Sequence, residues 1–126
     1  MPRLRQVAEG EAKGKVKELY DSICQKFGCV PNTFQAMATN ASFLEGMLKL
    51  NMAAGKALDD KTKELIRLAV SAANNCDYCL DAHVVIAKKM GITDAEISSA
   101  IEIAAAMSGF NVFNHGAGCE KDIRPE

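Results

Sequence analysis

Residues 59–90 read DDKTKELIRLAVSAANNCDYCLDAHVVIAKKM. Leu65, Leu68, Ala69, Ala72 and Ala73 recur at the spacing of one face of an α-helix, and Asp59 or Asp60 is placed to cap its start. The pair Asn74-Asn75 breaks this helix. A second is expected from near Asn75 to Met90, with Gly91 in the position of a carboxyl-terminal cap. Two amphipathic helices across a two-residue break set an α-helical pattern, and the same period continues on both sides.

Upstream, Val16, Leu19, Tyr20, Ile23, Cys24 and Phe27 mark a helix within residues 11–27 that Gly28 stops. Pro31 suits the first turn of a short helix carrying Phe34, Met37 and Ala38. Asn40 and Ser42 offer caps for a third, with Phe43, Leu44, Met47 and Leu48 on one face and Gly55 beyond its end. Downstream, Thr93-Asp94-Ala95-Glu96 is a capping box that opens a helix carrying Ile97, Ala100, Ile101, Ala104 and Met107. Residues 109–118, rich in Gly and Asn around Phe110, Val112 and Phe113, read as a short terminal helix or ordered loop, with a frayed tail after Cys119. The expected fold is all-α: one domain spanning residues 1–126, a bundle of about six helices without a convincing strand. The broad apolar faces of the third and sixth helices point to a homo-oligomer.

Composition narrows the class of function. The 126 residues are 48% hydrophobic and 25% charged, enough for one core without disulfide staples or a structural metal. Fifteen basic against sixteen acidic side chains argue against nucleic acid or an anionic membrane as the main partner. No apolar run approaches the roughly 18–20 residues of a membrane helix, and Met1-Pro2-Arg3-Leu4-Arg5 leads into charged sequence. Five cysteines, Cys24, Cys29, Cys76, Cys79 and Cys119, form an odd count that fits a reducing compartment better than a secreted framework. A cytoplasmic protein is expected.

Chemistry concentrates between Glu64 and His83. On a helix, Cys76, Cys79 and His83 fall within about 60 degrees of one another and would face one pocket. Three residues of helix place the two sulfurs at a separation a disulfide permits, so the pair can cycle between dithiol and disulfide. The Asn74-Asn75 break puts both thiols near a helix amino terminus, which favours thiolate. His83, one turn beyond Cys79, can act on its sulfur directly or through a water. Glu64, at the edge of the preceding apolar stripe, can lean into the pocket and complete a carboxylate–imidazole–thiol proton relay. Position at the helix start favours Cys76 as the attacking thiol, whereas proximity to His83 favours Cys79.

Glu64, eleven intervening residues, Cys76-Asp77-Tyr78-Cys79, three more and His83 resemble the active-site signature of the alkyl hydroperoxidase D branch of the carboxymuconolactone decarboxylase superfamily. Gly28-Cys29-Val30-Pro31-Asn32-Thr33-Phe34, then Asn40 and Ser42-Phe43-Leu44, look like the amino-terminal half of the same superfamily. The resemblance implies an all-α homo-oligomer, commonly a trimer or hexamer, without cofactor. It also implies thiol-dependent reduction of hydroperoxides, with re-reduction by a disulfide-reducing donor. By that resemblance Cys79 is the peroxidatic sulfur, Cys76 resolves it, and Glu64 and His83 manage protons. At the position of Tyr78 the peroxidase prototype has a second histidine, so the relay here would be shorter. The decarboxylase branch lacks the cysteine pair.

Other readings attach to the same residues. Cys76, Cys79 and His83, joined by His115 or Cys119, would supply a tetrahedral metal site in a structural or metal-binding module; the usual structural zinc site instead draws paired ligands from turns and would leave Glu64 idle. A c-type haem site is excluded because Leu80 follows Cys79. His115, Cys119 and Tyr78 are accessory candidates at most: the first two belong to the tail, and Tyr78 points away from the shared face. Cys24 lies on a core stripe, and Cys29 is expected to be an exposed thiol.

Overall fold

The computed structural model describes residues 1–124, and all regular structure among them is helical. After a 3-10 turn at Glu9–Glu11 come α1 (Gly14–Phe27), α2 (Asn32–Met37), α3 (Ala41–Ala53), α4 (Asp60–Ala73), α5 (Asp77–Lys89) and α6 (Asp94–Ala117). The six-helix all-α expectation holds. The helices fall into two compact units, Met1–Ala54 and the chain from Gly55 onward. No helix of the described residues is long and apolar enough to cross a membrane.

In the amino-terminal unit, Tyr20 and Ile23 of α1, Val30, Ala38 and Leu44 of α3 form the core, with Cys24, Phe27 and Phe34 packed against it. Cys24 is thus on the apolar side of α1, as its stripe implies. The chain before α1 is tied down by Tyr20, whose hydroxyl donates to the Val7 carbonyl at 2.7 Å. Helix α1 begins at Gly14, not at Glu11. Glu11 instead turns back to accept the Ala8 N–H at 2.9 Å, closing the short 3-10 turn. Of the two candidate caps for α3, Asn40 is used: its Oδ1 accepts the Phe43 N–H at 3.2 Å.

The carboxyl-terminal unit is built on α4, whose Leu68 is fully buried with Ala87, Ile92 and Ile97. Asp59 caps α4 through the Thr62 N–H at 2.7 Å. Helix α5 ends in a paired cap in which Gly91, at φ 80°, allows Ile92 N–H to reach the Ala87 carbonyl at 3.0 Å. The two residues so joined also meet in the core. Thr93 and Glu96 then form the expected capping box, each side chain accepting the other's backbone N–H.

Helix α6 corrects the reading of residues 109–118 as a separate short helix or loop: one helix runs unbroken from Asp94 to Ala117. Met107, Phe110 and Phe113 continue the three-residue spacing through this stretch, and no proline interrupts it. An interior glycine costs only about 1 kcal/mol, so the apolar period prevails until Gly118 turns left-handed. Phe110, Val112 and Phe113 are exposed along this helix, as are Phe43, Leu50 and Met52 on and next to the apolar face of α3.

Glu96 also pairs with Lys61 of α4. The Lys61 ammonium and then the Thr93 N–H hold its carboxyl below the ordinary value of 4.5. A carboxyl with a lowered folded-state pKa adds stability that is complete above its ordinary range and lost as pH falls through the folded value. The melting advantage of wild type over Glu96→Gln is therefore expected to be fullest above about pH 5 and to shrink on acidification below it, read by thermal melts across pH.

Candidate functional site

The α4–α5 junction places the cysteines. Asn75, in the left-handed region at φ 56°, closes α4: its N–H reaches the Ala72 carbonyl at 3.2 Å, and the Cys76 N–H reaches the Ser71 carbonyl at 3.0 Å. These are the two hydrogen bonds of a Schellman cap, with asparagine in the place usually taken by glycine. Cys76 is therefore fixed to the end of α4 and at the same time caps α5, its Sγ accepting the Cys79 N–H at 3.3 Å. The expectation of a helix from near Asn75 needs this correction: α5 starts at Asp77, and Cys76 stands just outside it. Cys76 and Cys79 are joined as a disulfide with Cα atoms 5.2 Å apart. Both are half-buried.

Glu64 is on the inner face of α4 and only 2% exposed. Its Oε1 lies 2.5 Å from His83 Nδ1, and its Oε2 accepts from Arg67 Nη1 at 3.1 Å. A carboxylate removed from water needs such partners, since an unpaired buried charge is costly. His83 keeps about a quarter of its side chain exposed, at 27%. Nδ1 is committed to Glu64, and His83 stands four residues, about one helical turn, after Cys79 on α5. Among the described residues no buried side-chain nitrogen or oxygen lacks a hydrogen-bond partner.

The four principal residues form two pairs, a disulfide between Cys76 and Cys79 and a hydrogen-bonded contact between Glu64 and His83. A groove of about 440 Å³ between α5 and α6, lined by Val84, Lys88, Ile97 and Ile101 among others, includes none of them. Tyr78 is about half exposed, at 47%. His115 occupies the last turn of α6 and Cys119 follows Gly118, both exposed. Among the described residues no group of three or more His, Cys, Asp or Glu is arranged to hold a metal ion. Arg67 escaped the sequence reading; its one visible signal is the spacing of three from Glu64, which puts two helical side chains within reach.

The sequence profile of the Carboxymuconolactone decarboxylase family matches residues 28–119. A protein of Azorhizobium caulinodans named alkyl hydroperoxide reductase AhpD is 31% identical over 87 residues, 68% of this chain and 48% of its own length. One of the same name from Coxiella burnetii is 41% identical over 66 residues, 52% of this chain and 37% of its own. The chain thus spans about half or less of the length of these relatives. The crystal structure of an alkylhydroperoxidase AhpD core from Rhodospirillum rubrum superposes with a TM-score of 0.83 at 29% identity, covering 97% of this chain and 95% of the other. The chain belongs to the carboxymuconolactone decarboxylase family, in its alkyl hydroperoxidase D-like branch.

Proposed function

We propose that the protein is a thiol-dependent oxidoreductase that reduces alkyl hydroperoxides through the Cys76/Cys79 pair, and that both units act together as one domain. The observation that carries this reading is a bonded cysteine pair at the start of α5 with a Glu64-held imidazole one turn along the same helix. The names of the relatives point to the same reaction class. In the reduced protein, the Cys79 thiolate attacks one peroxide oxygen, giving a Cys79 sulfenic acid and an alkoxide. His83, oriented by Glu64, supplies the proton that turns the alkoxide into the alcohol. The Cys76 sulfur then attacks Cys79, its proton leaves with the hydroxyl as water, and the disulfide forms.

A dithiol donor restores the pair. Its thiolate attacks Cys79 and expels Cys76, whose negative charge is received by the Cys79 N–H at the start of α5. The second donor thiol then frees Cys79 and leaves as the donor disulfide. The same pair can reduce small or protein disulfides, and the donor decides which direction prevails. The exposed apolar residues of α3 and α6 support assembly into a homo-oligomer, a trimer or hexamer in line with the family resemblance. A cytoplasmic setting fits a pair that must be returned to its dithiol form.

The test is peroxide consumption with dithiothreitol or a lipoyl donor, together with metal content and free-thiol titration of protein purified without chelator. Turnover with a pair that cycles between two and no titratable thiols is expected. Stoichiometric zinc with protected thiols, or a pair that never oxidises, would overturn the proposal.

A further inference from the structure

The end of α1 holds a second pair of cysteines outside this site. Gly28 turns left-handed at φ 77°, and its N–H reaches back to the Cys24 carbonyl at 2.7 Å. The cap is closed by this one bond, and the chain leaves it through Cys29, five residues after Cys24 in the last turn of α1. Glu9 reinforces the arrangement by gripping both sides: its Oε1 accepts the Val30 N–H at 3.0 Å, and its Oε2 lies 3.9 Å from Cys24 Sγ. One carboxylate therefore spans from Cys24 to the residue directly after Cys29.

We propose that Cys24 and Cys29 form a second redox site, a dithiol that hydroperoxide converts to a reversible disulfide across the α1 cap. Cys29 is exposed and meets the oxidant first, whereas Cys24 is half-buried against the core. Burial, then Glu9, then Cys29 push the Cys24 thiol above its ordinary 9.0, so it waits protonated with its hydrogen toward Glu9. The Cys29 sulfur attacks the peroxide, giving a sulfenic acid and an alcohol. Cys24 then attacks the Cys29 sulfur, its proton passes by way of Glu9 to the departing hydroxyl, and water leaves as the S–S bond forms. Closure would tie the last turn of α1 to the segment leading into α2.

Oxidation of the reduced Cys76→Ser/Cys79→Ser double variant isolates this site from the proposed catalytic pair, so either proposal can fail alone. Three cysteines remain there: Cys24, Cys29 and Cys119. With hydrogen peroxide, then iodoacetamide, two of the three thiols are expected to disappear. Trypsin cuts after Lys26, between the two cysteines, so the linked species is a disulfide-joined pair of peptides covering 18–26 and 27–49. Dithiothreitol should release them, and Cys29→Ser in the same background should leave Cys24 fully alkylated. Peptides alkylated at both positions, a Cys29 carried on to sulfinic or sulfonic acid, or Cys29 linked to Cys119 would each overturn the proposal.

Discussion

Cys79→Ser is expected to lower peroxide turnover by roughly 10³-fold or more, because a hydroxyl in place of the thiol removes the nucleophile itself. Cys76→Ser should also stop the cycle, but one step later. Its Cys79 should still react once with peroxide and persist as a sulfenic acid that a dimedone-type trap labels in near-stoichiometric yield. The trap should leave Cys79→Ser unlabelled at residue 76. This contrast is demanding because the fold contains an argument for the opposite assignment. Cys76 is the residue that caps α5, with its sulfur on the Cys79 N–H, where the amino end of a helix favours negative sulfur. Against this, His83 stands one turn beyond Cys79 and is aimed by a buried carboxylate. A proton acceptor at the reacting sulfur accelerates attack and protonates the leaving oxygen, whereas a favourable N–H at Cys76 best serves a leaving group. Label on Cys76 in Cys79→Ser, with none on Cys79 in Cys76→Ser, would exchange the two roles.

Much of this arrangement is legible in the residues, and the parts that are not share a cause. The apolar period and the caps at Asp59, Thr93 and Glu96 are local signals, and each appears where the sequence places it. The Asn74-Asn75 break is equally visible. What it does not reveal is that Asn75 adopts the left-handed conformation that moves Cys76 off α5 and onto its cap. That conformation is rare for a residue other than glycine and is accompanied by two hydrogen bonds, from the Asn75 N–H to the Ala72 carbonyl and from the Cys76 N–H to the Ser71 carbonyl. Gly and Asn, poor helix formers, mark residues 109–118 as a break, yet a continued apolar stripe outweighs a penalty of about 1 kcal/mol and α6 runs on to Ala117. Periodicity places Glu64 at a stripe edge from which it can lean toward His83, and the two do meet, but the depth of its burial is not legible there. In the sequence Arg67 is one more charged residue on a solvated face. Only the depth of Glu64 turns its spacing of three into a function.

Glu64→Gln tests whether that buried carboxylate acts in proton management or only in packing. The amide keeps the shape and can still accept from Arg67 or from His83, so the variant should fold. It loses the negative charge that pairs with an imidazolium when His83 carries a proton. Peroxide turnover is expected to fall by about 10² to 10⁴-fold, the usual contribution of a positioned acid–base system. Disulfide formation between Cys76 and Cys79 under an oxidant that needs no proton delivery, such as diamide, should be nearly unchanged. Arg67→Met separates the structural share of the same network. It removes the donor to Glu64 Oε2 but leaves the 2.5 Å contact to His83, so its main effect should be on stability, about 1.5–3 kcal/mol for a lost bond to a charged group. Denaturant titration reads that loss, while stopped-flow peroxide kinetics on the folded fraction read the other. A Glu64→Gln protein that keeps wild-type peroxide kinetics would leave the carboxylate as a packing residue and shift the proton chemistry to His83 alone. Equal losses of turnover in both variants would instead make Arg67 part of the orientation of His83, acting through the carboxylate between them.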